Sequence, residues 1–182
     1  MAVGNRVRVV QTNLVHPPRV HIHPYLELLS VPAINYDLMD LPSSVLNHHH
    51  HHHRRISGRV FTEPASTPPL RKLSIVSEYL PWTIGVSASN GSYVTFGDVL
   101  DSVHRALQKN ITPTEYSSLS SHDRRRATQA YEQRYRRHRS NQAYELEKRG
   151  GMKRVDFLLG KTKFWGLAMT SHGSDMWRLS VT

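Results

Sequence analysis

A mainly antiparallel β-sheet with helices packed on one face, an α+β fold, is what this 182-residue chain predicts. Stretches of alternating apolar residues precede and follow a central stretch of helical periodicity, and caps and stop signals delimit each helix inside that stretch. Turn chemistry, caps and periodicity agree best from Pro81 to Leu167, and such agreement marks a sequence that specifies one fold.

Taken in order, residues 1–20 mix valines, arginines and Pro17-Pro18 without periodicity, as expected of an N-terminal arm before a single domain at 21–182. Ile34, Tyr36 and Leu38 alternate with Asn35, Asp37 and Met39 in the manner of a half-buried strand that Pro42 ends. Residues 42–72 read as an exposed loop, punctuated by Gly58, Pro64 and Pro68-Pro69, with a short strand at 59–62. His48, His49, His50, His51, His52 and His53 stand inside that loop. A run of this length has the form of a purification tag; it is read as engineered, and any metal held there as adventitious.

The signals sharpen after Leu73. Trp82, Ile84, Val86 and Ala88 share one strand face, and Asn90-Gly91 suits a type I′ turn, so residues 92–95 are expected to return as the partner strand. Thr95 and Asp98 form a capping box opening a helix over 96–109, with Val99, Leu100, Val103 and Leu107 at helical spacing. Thr112-Pro113-Thr114-Glu115 caps a second helix over 113–119. Ser121 caps a long third one over 122–139, and Asn141 opens a fourth over 141–149 that Gly150-Gly151 stops. Val155 and Phe157 then alternate with Arg154 and Asp156 as a strand. Gly160-Lys161 turns it into a run through Phe164, Trp165 and Leu167, and residues 176–181 make the final strand.

Composition narrows the chemistry. The absence of cysteine removes a disulfide scaffold, a thiolate zinc site and a cysteine nucleophile together. No signal peptide and no membrane-length apolar window is present, so an intracellular location, cytoplasmic or nuclear, is expected. The net charge of +10 is uneven: residues 111–182 hold fourteen Lys/Arg against seven Asp/Glu, a surplus of seven. An anionic partner, an acidic protein surface or a nucleic acid, would suit that surplus, and so would solubility alone.

The Arg/Tyr helix is the one feature pointing toward a partner. At 100° per residue, Ala127, Tyr131, Tyr135 and His138 cluster on one side, facing the sheet, while Arg125, Arg126, Arg136, Arg137 and Arg139 spread over the opposite arc. Arginine forks match carboxylates and phosphates, so that arc is the candidate anion-binding or partner-binding surface, with a merely solvated face as the alternative. Arg134 lies among the tyrosines and needs an anion. Asp156 is the expected partner in a structural ion pair whose rupture costs about 3 kcal/mol.

Catalytic motifs are lacking: no Gly-x-Ser-x-Gly elbow, His-Glu-x-x-His pair, phosphate-cradling loop or dinucleotide fingerprint occurs. His21 and His23 share a strand face at a spacing metal sites use, but no third ligand is identifiable, so no native metal and no cofactor is expected. His104, His122 and His138 with nearby arginines are the only material for a metal-independent ribonuclease.

The stretch from Leu80-Pro81-Trp82 through Val94-Thr95, Asp98-Val99-Leu100, Tyr116 and Arg125-Arg126 to Lys153-Arg154-Val155-Asp156-Phe157-Leu158-Leu159-Gly160 and Gly166-Leu167 resembles a fungal family catalogued as domain of unknown function 6699. Ile34-Asn35-Tyr36-Asp37-Leu38 and Pro68-Pro69-Leu70 extend the resemblance over most of residues 22–167. It implies no established activity and no catalytic residue. The expectation is therefore a non-catalytic interaction domain whose basic helical face meets an acidic protein. A sequence-indifferent nucleic-acid binder is the alternative, and the ribonuclease comes third.

Overall fold

The computed structural model describes residues 19–46 and 56–182, so the six-histidine run and all but the last two residues of the N-terminal arm lie outside the described residues. The architecture is α+β. A four-stranded sheet runs in the order β4 (Leu80–Ser87), β3 (Lys72–Ser77), β6 (Gly173–Val181), β5 (Phe164–Thr170), and β1 (His21–Ile22) pairs with β2 (Ser66–Thr67) in a small separate ribbon. All pairings are antiparallel except β3 with β6.

One face of the sheet is apolar. Leu73, Ile75, Ile84, Val86, Trp177 and Leu179 point into a core completed by Val99, Leu100, Val103 and Leu107 of α1 (Phe96–Leu107). Thr83, Gly85 and Ser87 occupy the solvated face, the alternation expected of an antiparallel sheet covered on one side. Helix α1 begins where Thr95 accepts from the Asp98 amide at 3.0 Å and Asp98 accepts from the Thr95 amide at 2.9 Å, the capping box that its sequence announces. The next three helices are α2 (Pro113–Ser118), α3 (Ser121–Arg136) and α4 (Asn141–Arg149). Ser120, rather than Ser121, caps α3, accepting from the Asp123 amide at 3.0 Å.

Several expected elements take another form, each for a local reason. Ile34, Tyr36 and Leu38 are buried as the alternation requires, but the segment is extended chain rather than a strand. It touches the start of β5 through Phe164 N to Tyr36 O and Leu38 N to Thr162 O, both 2.8 Å, before the Asp37 carboxylate accepts from Met39 N and bends the chain. Residues 59–62 belong to a 3-10 helix, Gly58–Thr62, capped by Ser57. The 42–72 loop is not exposed throughout, because Val45, Val60 and Ala65 enter the core.

Asn90-Gly91 does turn, with Gly91 at φ +73°. The Asn90 side chain, however, accepts from Ser92 N and Tyr93 N at 2.8 and 3.0 Å, and Val94 then bonds to Leu70 O and Ala65 N instead of to β4. β3 is the strand that pairs with β4, across a tight turn at Glu78 and Tyr79.

The Val155–Phe157 run is likewise a 3-10 helix, Arg154–Leu158. Val155, Asp156, Phe157 and Leu158 are all buried in succession, which a strand with one solvated face does not allow. Leu159, at φ +56°, ends it in the left-handed region.

Candidate functional site

Helix α3 is amphipathic, but its inner flank meets other partners than expected. Tyr135 is buried edge-on against Tyr131 at 5.0 Å and against Tyr144 of α4 at 5.2 Å, and the Tyr131 hydroxyl donates to Lys148 O at 2.5 Å. The tyrosines therefore fasten α3 to α4. The other side of α3 rests on the Arg154–Leu158 3-10 helix, so that turn stands where the sheet was expected.

Arg134 lies in the seam and is 5 % exposed. Its Nε and Nη2 donate to the two carboxylate oxygens of Asp156 at 2.8 Å each, Nη2 also reaches Gly151 O at 2.9 Å, and Nη1 bonds Glu147. Asp156 in turn accepts from Lys153 N at 2.8 Å, and Lys153 Nζ reaches Glu147 at 2.7 Å. Glu147, Lys153 and the Gly151 carbonyl were invisible to helix-face reasoning. The Lys153-x-x-Asp156 capping pattern was the only signal in the sequence for any of them.

Burial pushes the Glu147 carboxyl up, but Lys153 and Arg134 outweigh it and hold the group below its ordinary value of about 4.5. Because the folded state favours the ionised form, this contribution is complete above that ordinary value and is lost as pH falls through the depressed one. Glu115, held down against burial by the Thr112 amide and by Arg154 at 2.6 Å, behaves alike. Urea denaturation at a series of pH values should show stability declining below about pH 4.5. Glu147→Gln should flatten that decline, and an unchanged slope would contradict the arrangement.

The five arginines expected on an outward arc separate into two groups. Arg136 pairs with Glu132 at 3.2 Å on the surface, and Arg137, the C-cap residue, lies 3.6 Å from both Asp37 and Asp40. Arg125 and Arg126, on the first turns of α3, have no carboxylate within 4.0 Å among the described residues; nor has Arg139, which lies beyond the helix in the link to α4. Arg126 rims a groove of about 460 Å³ whose walls include Tyr79, Pro81, Leu119, Phe157 and Leu159, with Glu78 and Asp123 also on its lining. Nearby Asp123 is held low first by the Ser120 hydroxyl, with smaller help from His122 and Arg126.

The histidines are dispersed. His122 lies in the first turn of α3 and His138 two residues past its end, and the helix rises about 24 Å over its 16 residues, so these two cannot act as acid and base on one phosphodiester. His104 sits on α1. His23 spends both ring nitrogens locally, accepting from Tyr25 N at 3.2 Å and facing Glu63 at 3.1 Å. Among the described residues no three His, Asp or Glu side chains group to hold a metal ion, and no helix is long and apolar enough to cross a membrane.

No curated protein and no solved structure matches this chain. A family model does match, over residues 34–175, covering β3, β4, β5 and the start of β6, all four helices and the Arg134 seam; the chain thus belongs to the family of unknown function DUF6699.

Proposed function

We propose that this protein is a non-catalytic interaction domain that receives an acidic segment of another protein on the first half of α3 and the adjoining groove. The observation that carries this reading is the division among the arginines. Among the described residues Arg134, Arg136 and Arg137 are matched to carboxylates of the same chain, whereas Arg125 and Arg126 are not, and Arg126 stands beside walls that include Tyr79, Pro81, Leu119, Phe157 and Leu159. A carboxylate-bearing segment with apolar side chains complements that mixture of charge and apolar surface. Nucleic-acid binding without sequence preference would combine phosphate contacts with base-stacking aromatics, but the tyrosines of α3 pack against α4.

Fluorescence anisotropy of a labelled polyglutamate peptide at low salt tests the proposal. The double variant Arg125→Glu/Arg126→Glu should bind at least about tenfold more weakly, or 1.4 kcal/mol. Arg136→Ala, which loses an exposed pair with Glu132 and a contact with the Tyr135 ring, should bind normally. Equal binding by the double variant rejects the site. Tight, steeply salt-dependent binding of a random oligonucleotide that the same variant abolishes would reassign it to nucleic acid.

A further inference from the structure

The sheet has two outer edges, and the chain treats them differently. Along β5, the edge is covered: Leu28 N donates to Leu167 O at 2.8 Å, Leu167 N to Leu26 O at 2.7 Å, and Phe164 N to Tyr36 O at 2.8 Å. Along β4 no further strand of the described residues is present. Ala88 N donates to Arg71 O at 3.2 Å, which sets the phase of the β3–β4 ladder. Val86 and Ile84 therefore turn their backbone groups toward β3, and Ser87, Gly85 and Thr83 turn theirs outward. All three are exposed. The outward donors and acceptors of Gly85 and Ser87, with Thr83 next to the register shift and Pro81 beyond it, are a template for another chain.

A trench runs beside this edge on the helical side, lined by Trp82, Ser102, Arg105, Lys109 and Arg154. Arg105 and Lys109, four apart on and just past α1, have no carboxylate within 4.0 Å among the described residues. Arg154 lies over the Trp82 ring at 4.3 Å and pairs with Glu115 through Nη2. Its Nε, like Nε1 of Trp82, is buried without a hydrogen-bond partner among the described residues. Both are N–H donors, and no carboxylate side chain is among those that line the trench.

We infer that β4 accepts an extended acidic segment of a partner protein as an added fifth strand, with carboxylates at alternate positions meeting Arg105 and Lys109 in the trench. Side chains of an added strand alternate between the two faces of the sheet, so every second one falls on the trench side. Backbone pairing to Thr83, Gly85 and Ser87 supplies affinity, and the cations select the charge pattern. The inference rests on the acidic-partner reading above but uses different residues.

The test is anisotropy of a labelled hexapeptide of alternating valine and glutamate on the full chain. N-methylation of every second peptide bond on the pairing edge should weaken binding at least about tenfold, since it removes the donors strand addition needs. Gly85→Pro should do the same with the thermal midpoint retained, because this amide faces outward and nothing lies within 4 Å of a Cβ built there. Arg105→Glu/Lys109→Glu should weaken binding comparably, and peptide should slow hydrogen exchange at Gly85 and Ser87. An N-methylated peptide that binds as well as its parent overturns strand addition without recourse to any variant. Binding that is lost in Arg125→Glu/Arg126→Glu but kept in Gly85→Pro also overturns it and leaves the α3 proposal standing; the opposite pattern supports strand addition and rejects the α3 site.

Discussion

Arg134→Met should lower stability by about 4 kcal/mol in urea denaturation, the scale of breaking a buried ion pair by removing one partner. Arg134 and Asp156 are 5 % and 2 % exposed, so water does not replace the lost contacts. The guanidinium serves Asp156 through two parallel bonds and also reaches Glu147 and the Gly151 carbonyl. Removing it strands a buried carboxylate whose remaining bond within the seam is the Lys153 amide. Lysine should not rescue, because a single ammonium cannot supply a planar fork to two carboxylate oxygens. The double change Arg134→Met/Asp156→Asn should recover part of the loss, since no unpaired charge is then left inside. A loss below about 1 kcal/mol for the single variant, the range of exposed pairs, would show that the seam is hydrated.

Gly166→Ala should cost a similar amount, about 4 kcal/mol, combining left-handed strain and overpacking at roughly 2 kcal/mol each. Gly166 sits in β5 at φ +145°, and a Cβ there would lie 2.6 Å from Leu28 Cα, 2.7 Å from Glu27 O and 2.8 Å from Leu28 N. All three are backbone atoms, so no side-chain rotation relieves the contact. The strand and the segment over it must separate, breaking the Leu28–Leu167 and Leu167–Leu26 bonds that cover the edge. Hydrogen exchange at the Leu28 and Leu167 amides should accelerate more than exchange in α1. Uniform acceleration would mean that the segment is not an independent cover.

Helices were the most legible part of this chain because their signals are local. The Thr95/Asp98 and Thr112/Glu115 boxes each need four residues, and both form as spelled. The long helix ends three residues before the expected 139, at Arg136, and Arg137, its C-cap with backbone still in the helical region, lies beside Asp37 and Asp40, about a hundred residues away in sequence. No local rule contains that attraction. For the same reason the outward arginine arc was legible as a set of charges and illegible as a site: whether a cation is neutralised depends on which distant carboxylate the fold brings near. The cations of the β4 trench show the converse. Arg105 and Lys109 advertise a shared helix flank by their spacing, yet only their position next to a bare strand edge makes them candidates for binding.

By itself, then, the sequence determined the α+β class, the starts of three of the four helices, the positive surplus of the C-terminal half and the need of Arg134 for an anion, because caps, composition and desolvation act over a few residues or on single groups. Tertiary structure decided that residues 154–158 curl into a 3-10 helix, that Asn90-Gly91 turns the chain away from β4, and that the α3 tyrosines join α4. In each of these cases two or more conformations satisfied the local pattern. The choice fell to whichever buried all the apolar groups while leaving each buried charge and amide with a partner, a condition that only the assembled chain can meet.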